Sequence, residues 1–215
     1  FSKPSNINLK KNKYYVGYNL RFNPIINFLK NKIRSKNIWN VTIFCGSYLP
    51  NWRNSIDYSK SASAKKELGG GVLLDLSHEL DYVQWLFGKI KIQYSKSKKL
   101  SNLNIGTDDF LSLTGKTKKV PSIQIILNYF TRNPTRQILI DGKNISMQAD
   151  LIKKNVIYYN GRKKKTYSFK NLNRDHEYKQ QHLAILKKNT GKLCTHKEGK
   201  GIVSLINQIR FKSKN

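Results

Sequence analysis

Between Leu73 and Phe87 the apolar residues Leu73, Leu76, Leu80, Val83 and Phe87 recur at spacings of 3, 4, 3 and 4. That rhythm places them on one narrow stripe of an α-helix and predicts that the stripe packs on a core. Asp75, His78, Glu79 and Tyr82 fall on the other side of the wheel, where Asp75 and His78, three apart, are neighbours. Elsewhere the period changes to two: from Ile38 to Ser47, Trp39, Val41, Ile43 and Cys45 alternate with Asn40, Thr42 and Gly46, the pattern of a strand. Further strands are expected at 14–19, 89–95, 109–114 and 122–130, with a helix from Pro24 to Arg34 that opens on a proline. Asp141-Gly142 and Asn160-Gly161 read as tight hairpin turns joining strands at 136–140, 145–148, 155–159 and 165–169. Two helices, about 175–188 and 196–211, close the chain. Hairpins imply antiparallel pairing, and segregated helices imply a two-layer α+β domain over residues 1–215: an open, predominantly antiparallel sheet with helices on one face.

Such an open sheet needs its second face covered by solvent-tolerant side chains or by a partner. The strand at 122–130 is apolar on both sides, Ile123, Ile125 and Leu127 against Ile126 and Phe130. Two readings stay open, a strand buried within one subunit and a homodimer or homotetramer built through the sheet.

Charge changes the picture less than its size suggests. Lys and Arg number 41 against 12 Asp and Glu, a formal net charge of +29. Of those cations 33 are Lys and 8 are Arg, whereas nucleic-acid recognition draws on the bidentate Arg fork. The excess is scattered, and abundant Lys, Asn and Ile beside four Ala is what AT-rich codon usage produces. A basic nucleic-acid binder is therefore the least favoured class. The run Arg162-Lys163-Lys164-Lys165 follows a turn signal and reads as a solvated turn. Cys45 and Cys194 have no Cys or His at metal-ligand spacing, so free thiols are expected, with neither disulfide framework nor metal site. No apolar run approaches the ~18 residues of a membrane span and no secretory signal is visible, so the default location is cytoplasmic.

The candidate chemistry centres on Gly69-Gly70-Gly71 and the helix after it. Glycines permit close backbone approach, a helix N-terminus carries positive dipole, and histidine transfers protons near neutral pH. The plainer alternative is that Asp75 and His78 belong to an ordinary solvated helix face. Gly69-Gly70-Gly71-Val72-Leu73-Leu74-Asp75-Leu76-Ser77-His78-Glu79-Leu80-Asp81, closed by Trp85-Leu86-Phe87-Gly88, resembles the glucose-fructose oxidoreductase and inositol dehydrogenase (Gfo/Idh/MocA) family. Ser2-Lys3-Pro4 is similar to the end of that family's Glu-Lys-Pro motif. The segments 16–24, 48–53 and 57–58 also fit, in order, over residues 1 to 88; beyond them only the layout agrees.

The resemblance implies the C-terminal half of a two-domain oxidoreductase that uses NAD or NADP on a hydroxyl of a sugar or nucleotide-sugar. It implies an N-terminal dinucleotide-binding Rossmann domain absent here, on the order of 100–150 residues. Gly69-x-Gly71 and Gly199-x-Gly201 do not complete a dinucleotide fingerprint, so the cofactor is expected mainly on that other domain, with Lys3 reaching it. The isolated chain is expected to be inactive. By the same resemblance His78 is the base, Asp75 orients it, and Lys3 contacts the substrate hydroxyl beside the nicotinamide. Two departures from the family pattern bear on this: Asp75 and His78 are spaced by three rather than four, and Ser2 replaces a Glu. Arg21, Asn23, Tyr48, Trp52, Arg53, Tyr58 and Tyr178 offer the aromatic and hydrogen-bonding surfaces that sugars use; each also has a structural alternative, such as Arg21 pairing with an acid. A non-catalytic oligomerisation or ligand-recognition module is the competing class.

Overall fold

The computed structural model describes residues 14–53, 55–169, 173 and 175–213. In chain order its strands are β1 (Tyr15–Val16), β2 (Ile38–Gly46), β3 (Lys91–Lys98), β4 (Phe110–Lys116), β5 (Ser122–Asn128), β6 (Thr135–Gly142), β7 (Ile145–Asp150), β8 (Asn155–Asn160), β9 (Lys163–Ser168) and β10 (Cys194–Thr195). Its helices are α1 (Pro24–Ile33), α2 (Val72–Asp75), α3 (Ser77–Phe87), α4 (His176–Leu186) and α5 (His196–Lys212). Eight strands form one sheet in the order β3-β4-β5-β2-β6-β7-β8-β9, and β1 pairs with β10 alone. Every neighbouring pair is antiparallel except β2 with β5. This is the expected two-layer α+β architecture.

One face of the sheet carries Val41, Ile43, Ile123, Ile125, Leu127, Ile138, Ile140, Leu111 and Leu113, all buried beneath the helices. The period-two alternation produces this, since residues two apart share a face. The other face presents Phe44, Phe110, Ile126, Leu139 and Tyr159 at partial or full exposure. The edge strand β9 opens with Lys163-Lys164-Lys165 in solvent, and lysines on an edge discourage pairing with another chain.

Several local expectations need correction. Residues 14–19 form a two-residue strand followed by a 3-10 turn over Asn19–Phe22, because β1 has only the short β10 to pair with. The hairpin tips sit later than the turn signals suggest, the first by two residues and the second by one. Asp141 and Gly142 stay in β6 while Lys143 and Asn144 turn, and Asn160 stays in β8 while Gly161 and Arg162 turn. Gly142 is needed for packing: a Cβ there would lie 2.3 Å from the Asn37 carbonyl oxygen. The signature helix is broken at Leu76, whose φ of −100° and ψ of 23° end α2 before α3 begins. Gly88, at φ 94°, terminates α3 as expected. Both cysteines are free and buried. No helix among the described residues is long and apolar enough to cross a membrane.

Candidate active site

The glycine run is shaped by the chain's own packing. A Cβ on Gly70 would lie 2.1 Å from the Ala62 carbonyl oxygen, and one on Gly71, at φ 113°, 2.5 Å from Asp108 Oδ1. Asp108 then caps α2 from within: its backbone oxygen accepts from the Val72 amide at 2.9 Å and its carboxylate from the Leu73 amide at 3.0 Å. The amides of Val72 and Leu73 therefore already hold an anion, and this glycine run does not present them to a dinucleotide phosphate.

One turn further, Asp75 faces a cavity of about 420 Å³ lined by Leu49, Trp52, Arg53, Ile56, Tyr58, Ser61, Ser63, Asp75 and Tyr178. Trp52, Arg53 and Tyr58 arrive on the 3-10 turns of the 48–64 loop, and Tyr178 on α4. Trp52 is fixed by its indole N–H donating to Ser47 Oγ at 2.8 Å and by edge contact with Tyr129 at 5.3 Å. The Tyr58 hydroxyl accepts from the Asn104 amide at 3.1 Å. Tyr129, fully buried, donates its hydroxyl to Asp75 Oδ2 at 2.6 Å. Burial and then the Asp75 charge hold the Tyr129 phenol well above its usual pKa, so it stays a donor that orients the carboxylate. Aromatic walls around one ordered carboxylate, an arginine and two serines suit a polyhydroxylated ligand.

Asp75 and His78 are not joined by a hydrogen bond among the described residues. The three-apart rule needs a continuous helix, and the break at Leu76 removes that continuity. His78 does not line the cavity. It lies half-buried at the start of α3 with the Tyr18 ring edge-on at 5.3 Å, and its Nδ1 is sealed without a partner among the described residues. Burial holds the imidazole below its usual pKa of 6.5, Glu79 pulls it back up and Arg136 pushes it down, leaving it neutral near pH 7. Glu79 and Tyr82, expected on an open face, are fully buried, so α3 is enclosed on both sides.

Two expected substrate contacts serve the fold. Arg21 Nε and Nη2 donate to Asp81 at 2.9 and 2.7 Å, and its Nη1 reaches Glu198 at 3.0 Å. Asn23 caps α1, accepting from the Ile25 amide at 2.8 Å, and donates to Glu177 at 2.6 Å. Tyr48 packs beneath the Arg132 guanidinium, 3.6 Å from its ring centre, and stands outside the cavity lining. Lys3 lies outside the described residues. Sequence reasoning missed Ser61, Ser63 and Tyr129: the serines sit in an aperiodic loop, and Tyr129 reaches Asp75 from 54 residues away.

The fold and this cavity define a two-layer α+β domain with a candidate ligand site. The GFO/IDH/MocA C-terminal domain family model matches residues 26–148, more than half of the chain, and the chain belongs to that family. No curated protein sequence matches it. Among solved structures it is similar to the WlbA dehydrogenase from Bordetella pertussis, in complex with NADH and UDP-GlcNAcA. The TM-score is 0.71 at 18% identity, covering 94% of this chain and 61% of that one. It is similar to aldose-aldose oxidoreductase from Caulobacter crescentus, complexed with glycerol, with TM-score 0.77, 15% identity, and 94% and 62% coverage. It is also similar to UDP-N-acetylglucosamine 3-dehydrogenase GnnA from Acidithiobacillus ferrooxidans, with TM-score 0.72, 14% identity, and 93% and 61% coverage. The chain thus spans about three-fifths of the length of each of these three proteins.

Proposed function

We propose that this chain is the substrate-binding and base-supplying domain of an NAD- or NADP-dependent oxidoreductase acting on a hydroxyl of a sugar or nucleotide-sugar. The observation that carries this reading is the cavity that gathers Trp52, Arg53, Tyr58 and Tyr178 around Asp75 within a GFO/IDH/MocA fold. The dinucleotide belongs on a separate domain, since the glycine run here is capped by Asp108. A nicotinamide, when bound, accepts hydride from the carbon being oxidised.

The rest falls to side chains of this chain. Oxidation of a secondary alcohol releases the hydroxyl proton, and a neutral His78 is the group suited to take it. Asp75, oriented by Tyr129, accepts from neighbouring sugar hydroxyls; Trp52 and Tyr178 stack on the ring. Lys3 contacts the reacting hydroxyl, a role that rests on the family resemblance. A second copy of the chain covers the outer sheet face at Phe44, Ile126 and Leu139, giving a homodimer or homotetramer; Leu139→Lys should then shift light-scattering mass toward the monomer.

The test is to titrate NADH and NADPH against the full-length gene product, following nicotinamide fluorescence, and then to screen sugars and nucleotide-sugars for turnover. Cofactor binding with a turnover loss of about 10²–10⁴-fold in His78→Gln is the expected result. A second reading, a recognition and assembly module, is favoured by one fact: His78 does not line the cavity. Sugar binding that requires Asp75 and Trp52, with no cofactor binding, would select it.

A further inference from the structure

Three polar atoms of α3 are sealed from solvent without a hydrogen-bond partner among the described residues: His78 Nδ1, Glu79 Oε2 and the Tyr82 hydroxyl. Such atoms are rare in folded proteins, and each calls for an account. They sit within one turn of an unbroken helix, residues 78 and 82 four apart and 79 and 82 three apart, so the Tyr82 side chain neighbours each of the other two.

The surrounding groups leave them unmatched. From β6, Arg136 Nε and Nη2 both address Glu79 Oε1, each at 2.6 Å, and leave Oε2 over. From β2 the Cys45 thiol lies against the same carboxylate, and burial, then the Glu79 charge, keeps that thiol protonated. The Tyr18 hydroxyl donates to Ser77 Oγ at 3.2 Å and so is turned away from the His78 nitrogens. Asp75 is engaged by Tyr129. A buried water typically makes about three hydrogen bonds to otherwise unmatched groups.

We propose that His78 Nδ1, Glu79 Oε2 and the Tyr82 hydroxyl share one buried water, and that Glu79 acts through it as the positioning residue that fixes the His78 tautomer. A carboxylate only accepts, so the water donates to Oε2. Polarised by that charge, the water oxygen is a strong acceptor for an Nδ1–H, and the proton settles on Nδ1. Nε2 then carries the lone pair. That is the form a base must have to take a hydroxyl proton, and this functional consequence rests on His78 being the base as proposed above. Glu79 thereby fills the orienting role that the sequence pattern assigned to Asp75.

The experiment is long-range ¹⁵N–¹H correlation of histidine-labelled chain between pH 6 and 8, with His78 identified by the signal lost in His78→Gln. Neutral His78 should show a protonated Nδ1 and an unprotonated Nε2. Glu79→Gln should move its population toward the Nε2–H form and lower its titration midpoint, since a negative charge is removed. Tyr82→Phe, which keeps the shape of the core, should move the population the same way by a smaller amount and serves if Glu79→Gln does not fold. A neutral His78 found as Nε2–H in the wild type, or a tautomer unmoved by these variants, overturns the proposal. Wild-type Nδ1–H that responds to both variants, beside a full-length His78→Gln enzyme with normal turnover, upholds the water-linked positioning and removes only the base.

Discussion

Helix α3 carries two buried acids two residues apart, and the fold treats them in opposite ways. Asp81 has both carboxylate oxygens matched by Arg21, whose third nitrogen reaches Glu198 and, at 3.5 Å, the Leu193 carbonyl. Glu79 has one oxygen matched by Arg136 and the Cys45 thiol against its carboxylate, while Oε2 and two further atoms meet no hydrogen-bond geometry among the described residues. The first network joins α3 to the 19–22 turn and the capped start of α5. The second stands next to the histidine that the sequence singles out for chemistry. A buried charge network that is completely matched specifies structure; one left partly open retains capacity for a water and a proton.

The largest effect should come from the matched side. Asp81→Ala leaves Arg21 buried without its bidentate partner, and urea unfolding should register a loss of about 3–5 kcal/mol. A loss below about 1 kcal/mol would mean that the Arg21 network is not the clamp described. Tyr129→Phe comes next: it removes a charge-assisted hydrogen bond to Asp75 and should lower stability by about 1–2 kcal/mol, with weaker sugar binding by calorimetry. Unchanged sugar affinity would separate Asp75 from the ligand.

The open side should respond to acid. His78 is held below 6.5 in the folded state by burial, so below pH 6.5 the unfolded chain binds a proton that the native one does not. Stability from this group is present above 6.5 and lost as pH falls from there toward the lowered folded value. The same pH series on His78→Gln should be flatter across that window; a parallel curve would assign the acid sensitivity to other groups. Smallest of all, Tyr82→Phe should stay within about 1 kcal/mol of the wild type, because the hydroxyl it removes has no partner among the described residues. A larger loss would point to a bond that makes the two halves of α3 alike.

Much of the fold is legible in the chain because the relevant forces are local. The alternation of Val41, Ile43 and Cys45 sets which face of β2 is inward, and Pro24 and Gly88 punctuate helices wherever they are packed. Trp52, Arg53, Tyr58 and Tyr178 were recognisable as ligand-type residues, and they converge on one cavity. What composition and period could not give was the pairing of long side chains. Arg21 stood open between a substrate contact and an acid pair, and nothing local says that Asp81, 60 residues on, takes its guanidinium.

By itself, then, the sequence determined the α+β layout, the family and the position of the signature helix, since periodicity, turn residues and motif order act over a few residues. Tertiary structure decided that the helix breaks at Leu76, that Asp108 and not a ligand caps its start, that Tyr129 holds Asp75, and that Glu79 lies beside His78 with an oxygen to spare. Each of these depends on which distant side chain reaches a polar group first once water is excluded, and burial sets that outcome only after the chain has folded.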